Sequence, residues 1–223
     1  MSEDRPQPLG GECAQHALIA LLVAAAVAAC YFSVDRPVAL WAHGLAPGVA
    51  AAAHAMSAPG SSAPYLIGFA LAYAILRLAA HRPLLAQRAL YLFAAVAVSG
   101  LAADLAKDAF ARWRPIALFT AKAHYGFALW HGGYKHASFP SGHATTAGAL
   151  ALALTLLAPR WRLLWLALAA LVAAGRVLGG AHFPGDVVAG LWLGAVVALA
   201  LSRSRWFRGA IPQPTGLPGP PRV

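Results

Sequence analysis

The chain has few charged residues. Of its 223 residues only 11% are charged, whereas 60% are hydrophobic and the mean hydropathy is +0.64. A soluble domain of this length carries about a quarter charged residues. Together with long uninterrupted apolar runs, this deficit excludes an ordinary soluble domain and indicates a membrane protein.

Cysteines and clustered metal ligands are scarce as well. The two cysteines, Cys13 and Cys30, belong to no metal-ligand spacing, and Cys30 lies inside an apolar run where a buried thiol is ordinary. No carboxylate cluster or Cys/His set is spaced to bind Mg²⁺ or Zn²⁺. The sequence therefore predicts no metal site and no cofactor.

Positive charge exceeds negative charge, with 17 Lys and Arg against 7 Asp and Glu. Such an excess can indicate nucleic-acid binding. Here the basic residues lie at the ends of apolar segments and in short loops, which is typical of membrane flanks. We therefore expect the lipid bilayer, and no nucleic acid, as the partner of these charges. The sequence predicts no particular oligomeric state.

Six apolar stretches are long enough to cross a bilayer, for which a helix needs about 20 residues. They are residues 16–33, 64–80, 88–106, 142–158, 163–180 and 187–202. The alternating pattern of a membrane β-barrel is absent. We predict an all-α, polytopic membrane protein whose residues 16–210 form a six-transmembrane-helix bundle. Residues 1–15 lack the basic segment of a signal peptide and are expected to be a cytoplasmic tail. Residues 211–223 are rich in Pro and Gly and are expected to be a disordered tail.

The basic residues predict how the bundle is oriented. The connection between the second and third spans contains Arg77, Arg82 and Arg88, and that between the fourth and fifth contains Arg160 and Arg162. Arg203, Arg205 and Arg208 follow the last span, and none of these segments contains an acidic residue. By the positive-inside rule these segments and both termini face the cytoplasm. Several basic residues then fall on the opposite side, against the rule, and six of them are functional candidates. They are Lys107, Arg112, Arg114, Lys122, Lys135 and Arg176.

The first cluster of polar residues, KDAFARWRP, follows the third span. Lys107 and Arg114 are seven residues apart, which on a helix puts both cations on one face, and Pro115 is expected to end that helix. Taken alone, the pair is also typical of interfacial cations that extend toward water.

The second cluster is the PSGH stretch before the fourth span. Pro140 and Ser141 are typical of a helix start, and Gly142 lets a bound group approach the backbone. Free amides at a helix N-terminus form an anion site. A simple N-cap would explain Ser141, but it does not explain His143.

The third cluster, GRVLGGAHFPGD, joins the fifth and sixth spans. Asp186 follows His182 by four residues and can hold one ring nitrogen, leaving the other free as a base or nucleophile. Asp186 could also simply complement the helix dipole. Three cations, Lys107, Arg114 and Arg176, would repel one another at this end of the bundle unless an anion lay between them, and phosphate suits them.

These three clusters resemble the type 2 phosphatidic acid phosphatase (PAP2) superfamily of integral-membrane lipid phosphatases. The family pattern of K-x6-RP, PSGH and SR-x5-H-x3-D is present with its order and internal spacings, except that Gly175 replaces the usual Ser. The resemblance implies six spans with the active site at the non-cytoplasmic membrane interface. We expect Gly175 to modulate binding and not to abolish activity.

The resemblance also implies a role for each matching residue. His182 would attack phosphorus and form a phosphohistidine, Asp186 would orient its ring, and His143 would protonate the leaving alkoxide and then help activate water. The phosphoryl oxygens would be bound by Lys107, Arg114, Ser141, Gly142 and Arg176. Phosphoryl transfer consists mostly of positioning and electrostatics, which agrees with this division.

The implied function is metal-independent hydrolysis of a phosphate monoester or pyrophosphate on a membrane lipid, in a bacterial inner membrane with the active site facing outward. Substrates of the family include undecaprenyl pyrophosphate, phosphatidylglycerol phosphate, phosphatidic acid and lipid A phosphates. A lipid phosphotransferase would use the same site. A transporter of a phosphorylated solute would need polar residues near the midplane, and the spans contain few, of which Asp104 is the clearest.

Two loops contain further candidate residues. Residues 34–63 contain an interrupted apolar segment, for which we expect a short interfacial helix anchored by Trp41. In residues 116–139, the aromatic residues Trp130, Tyr134 and Phe139 either rest at the interface or contact the headgroup. Five basic residues there could bind a second phosphate, namely Lys122, His124, His131, Lys135 and His136.

Overall fold

The computed structural model describes residues 9–130 and 133–212. The eight α-helices in these ranges are α1 (Leu9–Ala29), α2 (Asp35–His43), α3 (Pro47–Ser57), α4 (Ser62–Ala74), α5 (Pro83–Phe110), α6 (Gly142–Leu157), α7 (Arg162–Leu178) and α8 (Pro184–Arg203). Within the described residues there is no β-sheet, and only an isolated bridge joins Arg112 to Phe127. The all-α prediction is confirmed.

Five helical segments are long and apolar enough to cross a membrane, and a sixth apolar helix, α6, has 16 residues. The five segments are Ala14–His43, Pro47–Ala79, Pro83–Phe110, Pro159–Leu178 and Pro184–Arg203. Leu21, Leu78 and Leu163 are more than 60% exposed on the outside of the bundle, where lipid would cover them. The chain is a multi-pass membrane protein, and the six predicted spans agree approximately with these helices.

The first span is longer than the sequence predicts. Helix α1 begins at Leu9 and continues through a π-helical turn, Cys30–Val34, directly into α2. The turn lies just before Pro37, which has no N–H to donate to the preceding helical turn. The predicted loop 34–63 therefore contains two helices, α2 and α3, and Trp41 is 58% exposed on α2.

Helix α6 lies at the centre of the bundle and packs against α8, α7 and α5. Its contact with α8 is close because Gly190 and Gly194 face its backbone. A Cβ on Gly190 would lie 2.6 Å from the Ser141 carbonyl oxygen, and one on Gly194 would overlap the Thr145 carbonyl. These glycines hold the N-termini of α6 and α8 side by side.

Contacts at one end of the bundle join the start of α5 to the segment after α8. Arg88 Nε donates to the Ala210 carbonyl at 3.0 Å, and Gln87 Nε2 donates to the Trp206 carbonyl at 2.6 Å. The C-termini of α5 and α7 and the N-termini of α6 and α8 therefore lie at the other end, where all three polar clusters occur. The predicted tails lie largely outside the described residues, at positions 1–8 and 213–223.

Candidate active site

The three clusters meet at one end of the bundle. Lys107 is in the last turn of α5, Ser141 precedes α6, Arg176 is in the last turn of α7, and Asp186 is in the first turn of α8. The ring of His143 lies within electrostatic range of Lys107, Arg114, Arg176 and His182. The fold thus brings the residues singled out in the sequence into a single site.

The predicted helical relation between Lys107 and Arg114 is wrong. Helix α5 ends at Phe110, and Ala111 adopts a left-handed conformation with φ of 44°. Arg114 is extended, with φ −75° and ψ 157°, because the following Pro115 disfavours a helical conformation at this position. The two cations approach the site from a helix end and from a loop, and not from one helical face.

Ser141 is placed at the N-cap of α6 but does not cap it. Its side chain is fully buried, makes no cap hydrogen bond, and its Oγ has no hydrogen-bond partner among the described residues. Its backbone N–H donates to the Asp186 carbonyl at 3.0 Å. A buried hydroxyl without a partner is costly, so Ser141 is suited to bind a group that enters the site.

Gly142 lies next to the Lys107 ammonium. A Cβ on Gly142 would be 3.1 Å from Lys107 Nζ, which in turn is 2.6 Å from Asp104 Oδ1. The first amides of α6 have no intrahelical partner, as in any α-helix. The glycine therefore keeps these amides and the ammonium open to the same small volume, which favours an anion.

His182 is buried in the turn between α7 and α8, and its orientation is defined. Its Nδ1 lies 2.8 Å from the Ser138 carbonyl oxygen and 3.7 Å from Asp186 Oδ2. Because a carbonyl can only accept, Nδ1 carries the proton and Nε2 keeps a free lone pair. Burial lowers the pKa of His182 below 6.5 although Asp186 opposes this, so the ring is neutral at pH 7.

The Asp186 carboxylate is held by several donors. Its Oδ1 accepts from Arg112 Nη1 at 2.5 Å, and its Oδ2 accepts from Ser138 Oγ at 2.6 Å and from the Phe183 N–H at 2.9 Å. Ser138 thus contacts both His182 and Asp186. The direct hydrogen-bond partner of the His182 imidazole is the Ser138 backbone carbonyl, and the Asp186 carboxylate lies farther from the ring.

Arg112 and Asp35 are functional candidates that the sequence did not reveal as a pair. Arg112 Nη2 donates to Asp35 Oδ2 at 2.7 Å, and both residues are fully buried. Burial alone would lower the pKa of Arg112, but the carboxylates of Asp186 and Asp35 outweigh it and raise that pKa. An acidic residue beside a membrane span was the available signal for Asp35.

Arg114 and Arg176 are the other two cations of the site, beside Lys107. Arg114 Nε donates to the Tyr134 carbonyl at 2.9 Å and its guanidinium lies over the Tyr134 ring, while burial lowers its pKa. Arg176 Nη1 lies 3.5 Å from Ser57 Oγ, and its Nε is buried without a partner among the described residues. Both guanidiniums therefore keep donors for an anion.

Gly175, the departure from the family pattern, has a packing reason. Helix α3 crosses α7 at this point, and a Cβ on Gly175 would lie 2.5 Å from the Ala53 carbonyl oxygen and 2.9 Å from the Ser57 nitrogen. A serine at 175 would push α3 away. In this chain Ser57 on α3 places a hydroxyl 3.5 Å from Arg176 Nη1.

Gly175→Ser is therefore expected to destabilise the protein and not to improve its activity. Overpacking of this kind costs about 1–3 kcal/mol, or about 2–4 °C in melting temperature for each kcal/mol. Thermal unfolding in detergent measures the effect. Gly68→Ser is the matched control, because a Cβ on Gly68 meets nothing within 4 Å. Equal melting temperatures for the two variants would contradict the packing argument.

The loop between α5 and α6 contacts the site through Tyr134 and Ser138. Trp113 stacks on His124, with ring centroids 4.3 Å apart, and also contacts the ring of His136 at 4.0 Å. Trp130 is 81% exposed, whereas Phe139 packs against Phe110. The histidines at 124 and 136 thus pack against an aromatic ring, Lys122 and Lys135 are exposed, and His131 lies outside the described residues.

The titratable residues around the site do not form a metal centre of the usual kind. Among residues 9–130 and 133–212, no group of three or more His, Cys, Asp or Glu side chains could hold a metal ion. The carboxylates of Asp35 and Asp186 are both bound to Arg112, and that of Asp104 is bound to Lys107. The positive charge available at the site comes from Lys and Arg side chains.

Two known proteins named lipid A 1-phosphatase are similar to part of this chain. The one from Rhizobium johnstonii is 46% identical over 109 residues, which cover 49% of this chain and 44% of the relative. The one from Rhizobium etli is 42% identical over 117 residues, covering 51% and 50%. The chain thus spans about half the length of these curated relatives.

A protein named undecaprenyl-diphosphatase from Sulfolobus acidocaldarius is 42% identical over 62 residues, which cover 27% of this chain and 30% of the relative. No solved structure matches the chain. The sequence model of one family, described as the PAP2 superfamily, matches residues 88–210, more than half of the chain and all three clusters. The resemblance of the motifs is thereby confirmed, and the chain belongs to the PAP2 superfamily.

Proposed function

We propose that the protein hydrolyses a phosphate monoester or pyrophosphate on a membrane lipid through a phosphohistidine on His182. One observation carries the proposal. A neutral, buried imidazole with one free nitrogen lies in a site that also contains three cations and the Ser141 hydroxyl, which has no hydrogen-bond partner among the described residues. This combination suits a nucleophile that attacks a bound phosphoryl group.

In the first step, His182 Nε2 attacks phosphorus, the N–P bond forms and the P–O bond to the lipid breaks. His143 donates a proton to the departing oxygen. In the second step, His143 takes a proton from water, whose oxygen attacks phosphorus while the N–P bond breaks and phosphate is released. His182 then regains its free lone pair, and atoms and charge balance over the cycle.

The cations and the helix terminus bind the phosphoryl oxygens during both steps. Lys107, Arg114 and Arg176 supply the positive charge, while Ser141 and the Gly142 amide supply neutral donors. Such preorganised donors stabilise the charge that develops in the transition state. In this mechanism they take the part that divalent metals have in other phosphatases.

An apolar groove beside the site supports a lipid substrate. Its volume is about 600 Å³ and it runs between α1, α5 and α8, with Val27, Tyr31, Phe110, Pro140 and Trp192 among its lining residues. Pro140 adjoins Ser141, so an acyl or prenyl chain in the groove would place its phosphate at the site. Because two relatives bear the name lipid A 1-phosphatase, we propose a lipid A phosphate as the first substrate to test.

We further propose that the protein lies in a bacterial inner membrane with its termini in the cytoplasm and the site facing outward. The arginines of the alternate connections and of the segment after α8 support this orientation by the positive-inside rule. A cysteine placed in the 159–162 turn should react with an impermeant thiol reagent only after the cells are opened. Labelling of intact cells would contradict the orientation.

The purified protein is expected to release inorganic phosphate from a lipid phosphate in the presence of excess EDTA, because its positive charge comes from side chains. The measurement is turnover in detergent or liposomes on a panel of lipid A, undecaprenyl pyrophosphate, phosphatidylglycerol phosphate and phosphatidic acid. Adding an acceptor lipid with a free hydroxyl separates hydrolysis from phosphotransfer.

The EDTA experiment has two informative failures. Loss of activity on chelation, restored by a divalent ion, would reject the metal-independent mechanism. Absence of phosphate release and of phosphotransfer across the whole panel would reject the proposed function.

A further inference from the structure

Arg112 lies between two carboxylates, outside the group of residues that would touch phosphate. Its Nη1 donates to Asp186 and its Nη2 to Asp35, and all three side chains are 1% exposed or less. Asp35 belongs to the first span, 77 residues away from Arg112 in the chain. It also lies outside residues 88–210, the range that the family comparison covers.

Aromatic rings enclose this group. The Arg112 guanidinium lies 4.5 Å from the ring centroid of Phe183, 5.2 Å from that of Tyr31 and 5.3 Å from that of Phe127. Tyr125 donates its hydroxyl hydrogen to the Tyr31 carbonyl at 2.6 Å and lies 3.2 Å from Arg112 Nη2. Rings exclude water, so charges inside this enclosure act on one another, and on His182, more strongly than at a surface.

The net charge of Asp35, Arg112 and Asp186 affects His182. An Arg112–Asp186 pair alone would be neutral and would give the imidazole no net negative charge to face. Asp35 makes the group anionic, with two carboxylates against one guanidinium. A phosphorylated imidazole that keeps its Nδ1 proton is cationic, so an anionic group behind it stabilises the intermediate.

Asp35 also acts on the position of Asp186. Its Oδ1 accepts from the Gly185 N–H at 2.9 Å, and a Cβ on Gly185 would lie 3.0 Å from Asp35 Oδ2. The carboxylate therefore binds the first turn of α8 directly, one residue before Asp186. This contact ties the end of the first span to the turn that holds the nucleophile.

We propose that Asp35 and Arg112 are positioning residues of the phosphatase reaction, which keep the group behind His182 anionic and fix the carboxylate of Asp186. The inference rests on the proposed function. It assigns the first span, through Asp35, a part in catalysis.

Two variants separate this role from a purely structural one. Asp35→Asn keeps an oxygen for the Gly185 N–H and leaves Arg112 paired with Asp186, so no buried charge is left uncompensated and the group becomes neutral. Asp35→Asn combined with Arg112→Gln leaves the group with one negative charge again, as in the wild type. Both variants are checked for folding by size exclusion and thermal unfolding in detergent.

The readouts are kcat and the acid limb of kcat/KM against pH. Asp35→Asn is expected to lower kcat about tenfold with KM unchanged, because the phosphate-binding cations remain. Its acid limb should move to lower pH by about 0.5 unit, since a neutral group favours the neutral imidazole. In the double variant the limb should return toward the wild-type position.

Other charged groups face His182, namely Asp186, Arg114, Arg176 and His143, and neither variant changes them. The ionisation of the substrate is the same for every variant, so a shift of the limb belongs to the enzyme. A structural role alone would reduce the folded fraction and leave the limb in place.

Wild-type turnover together with unchanged acid limbs in both variants would overturn the inference while leaving the proposed function intact. Failure of the wild type on the whole substrate panel would reject the proposed function and this inference with it. If Asp35→Asn does not fold, Arg112→Gln takes its place, because it leaves the two carboxylates without the guanidinium and should move the acid limb to higher pH. An unchanged acid limb in folded Arg112→Gln would contradict the charge argument.

Discussion

Replacing His182 by alanine is expected to reduce phosphate release by at least about 10⁴-fold, as for other covalent nucleophiles. The reason is geometric, because Nδ1 lies 2.8 Å from the Ser138 carbonyl and Nε2 is the nitrogen left to attack phosphorus. Binding should survive, since the cations and the Ser141 hydroxyl are untouched. The measurements are single-turnover phosphate release and the inhibition constant of inorganic phosphate.

A second readout reports the covalent intermediate directly. Wild-type protein quenched with alkaline denaturant after mixing with a labelled lipid phosphate should carry label that is stable in base and labile in acid, as a phosphoramidate is. His182→Ala should carry none. His81→Ala, in the turn at the opposite end of the bundle, is the matched control and should retain both activity and label. Full activity in His182→Ala would exclude the mechanism.

Within the site, the sequence predicted that His182 and Asp186 lie close together. His182 and Asp186 are four residues apart, and Pro184 between them begins α8, so local geometry decides their relation. Five of the six predicted spans were likewise readable, because each lies in an apolar helix long enough for a bilayer, and the sixth corresponds to the shorter apolar helix α6. Local spacing and hydropathy are sufficient for such features.

Most of the parts that the sequence missed depend on contacts between distant segments. Asp35 reaches Arg112 because the first span stays helical through the Cys30–Val34 turn and so extends to the end of the bundle that contains the site. The position of Arg114 was missed for a local reason, because it depends on the left-handed Ala111, a conformation that an alanine rarely adopts. The Ser138 carbonyl could not be recognised as the partner of His182, since every residue has a carbonyl.

Gly175 shows how packing can explain a departure from a motif. From the sequence alone, the missing serine was expected to modulate binding. The structure shows that α3 crosses α7 so closely that a Cβ at this position would meet the Ala53 carbonyl. The choice of residue at 175 is thus coupled to a helix whose approach no local pattern predicts.

The second large effect is expected for His143→Gln, which should lower turnover of a lipid alkyl phosphate by about 10²–10⁴-fold. His143 is the second residue of α6, beside Ser141, and its ring faces His182 and the cations. An alkoxide is a poor leaving group and needs a proton as the P–O bond breaks. Glutamine keeps the size and polarity of the side chain but cannot transfer that proton.

A change of leaving group distinguishes proton donation from a structural effect. The para-nitrophenolate of para-nitrophenyl phosphate is a good leaving group and needs no proton. His143→Gln should therefore form the phosphoenzyme from this substrate at nearly the wild-type rate. Hydrolysis of that phosphoenzyme needs the base and should remain slow, so label should accumulate on His182. His182→Ala provides the contrast, since its activity on both substrates should be lost equally. An equal loss in the rate of phosphoenzyme formation from alkyl and aryl substrates in His143→Gln would exclude His143 as the proton donor, because a residue that only shapes the site has no reason to distinguish leaving groups.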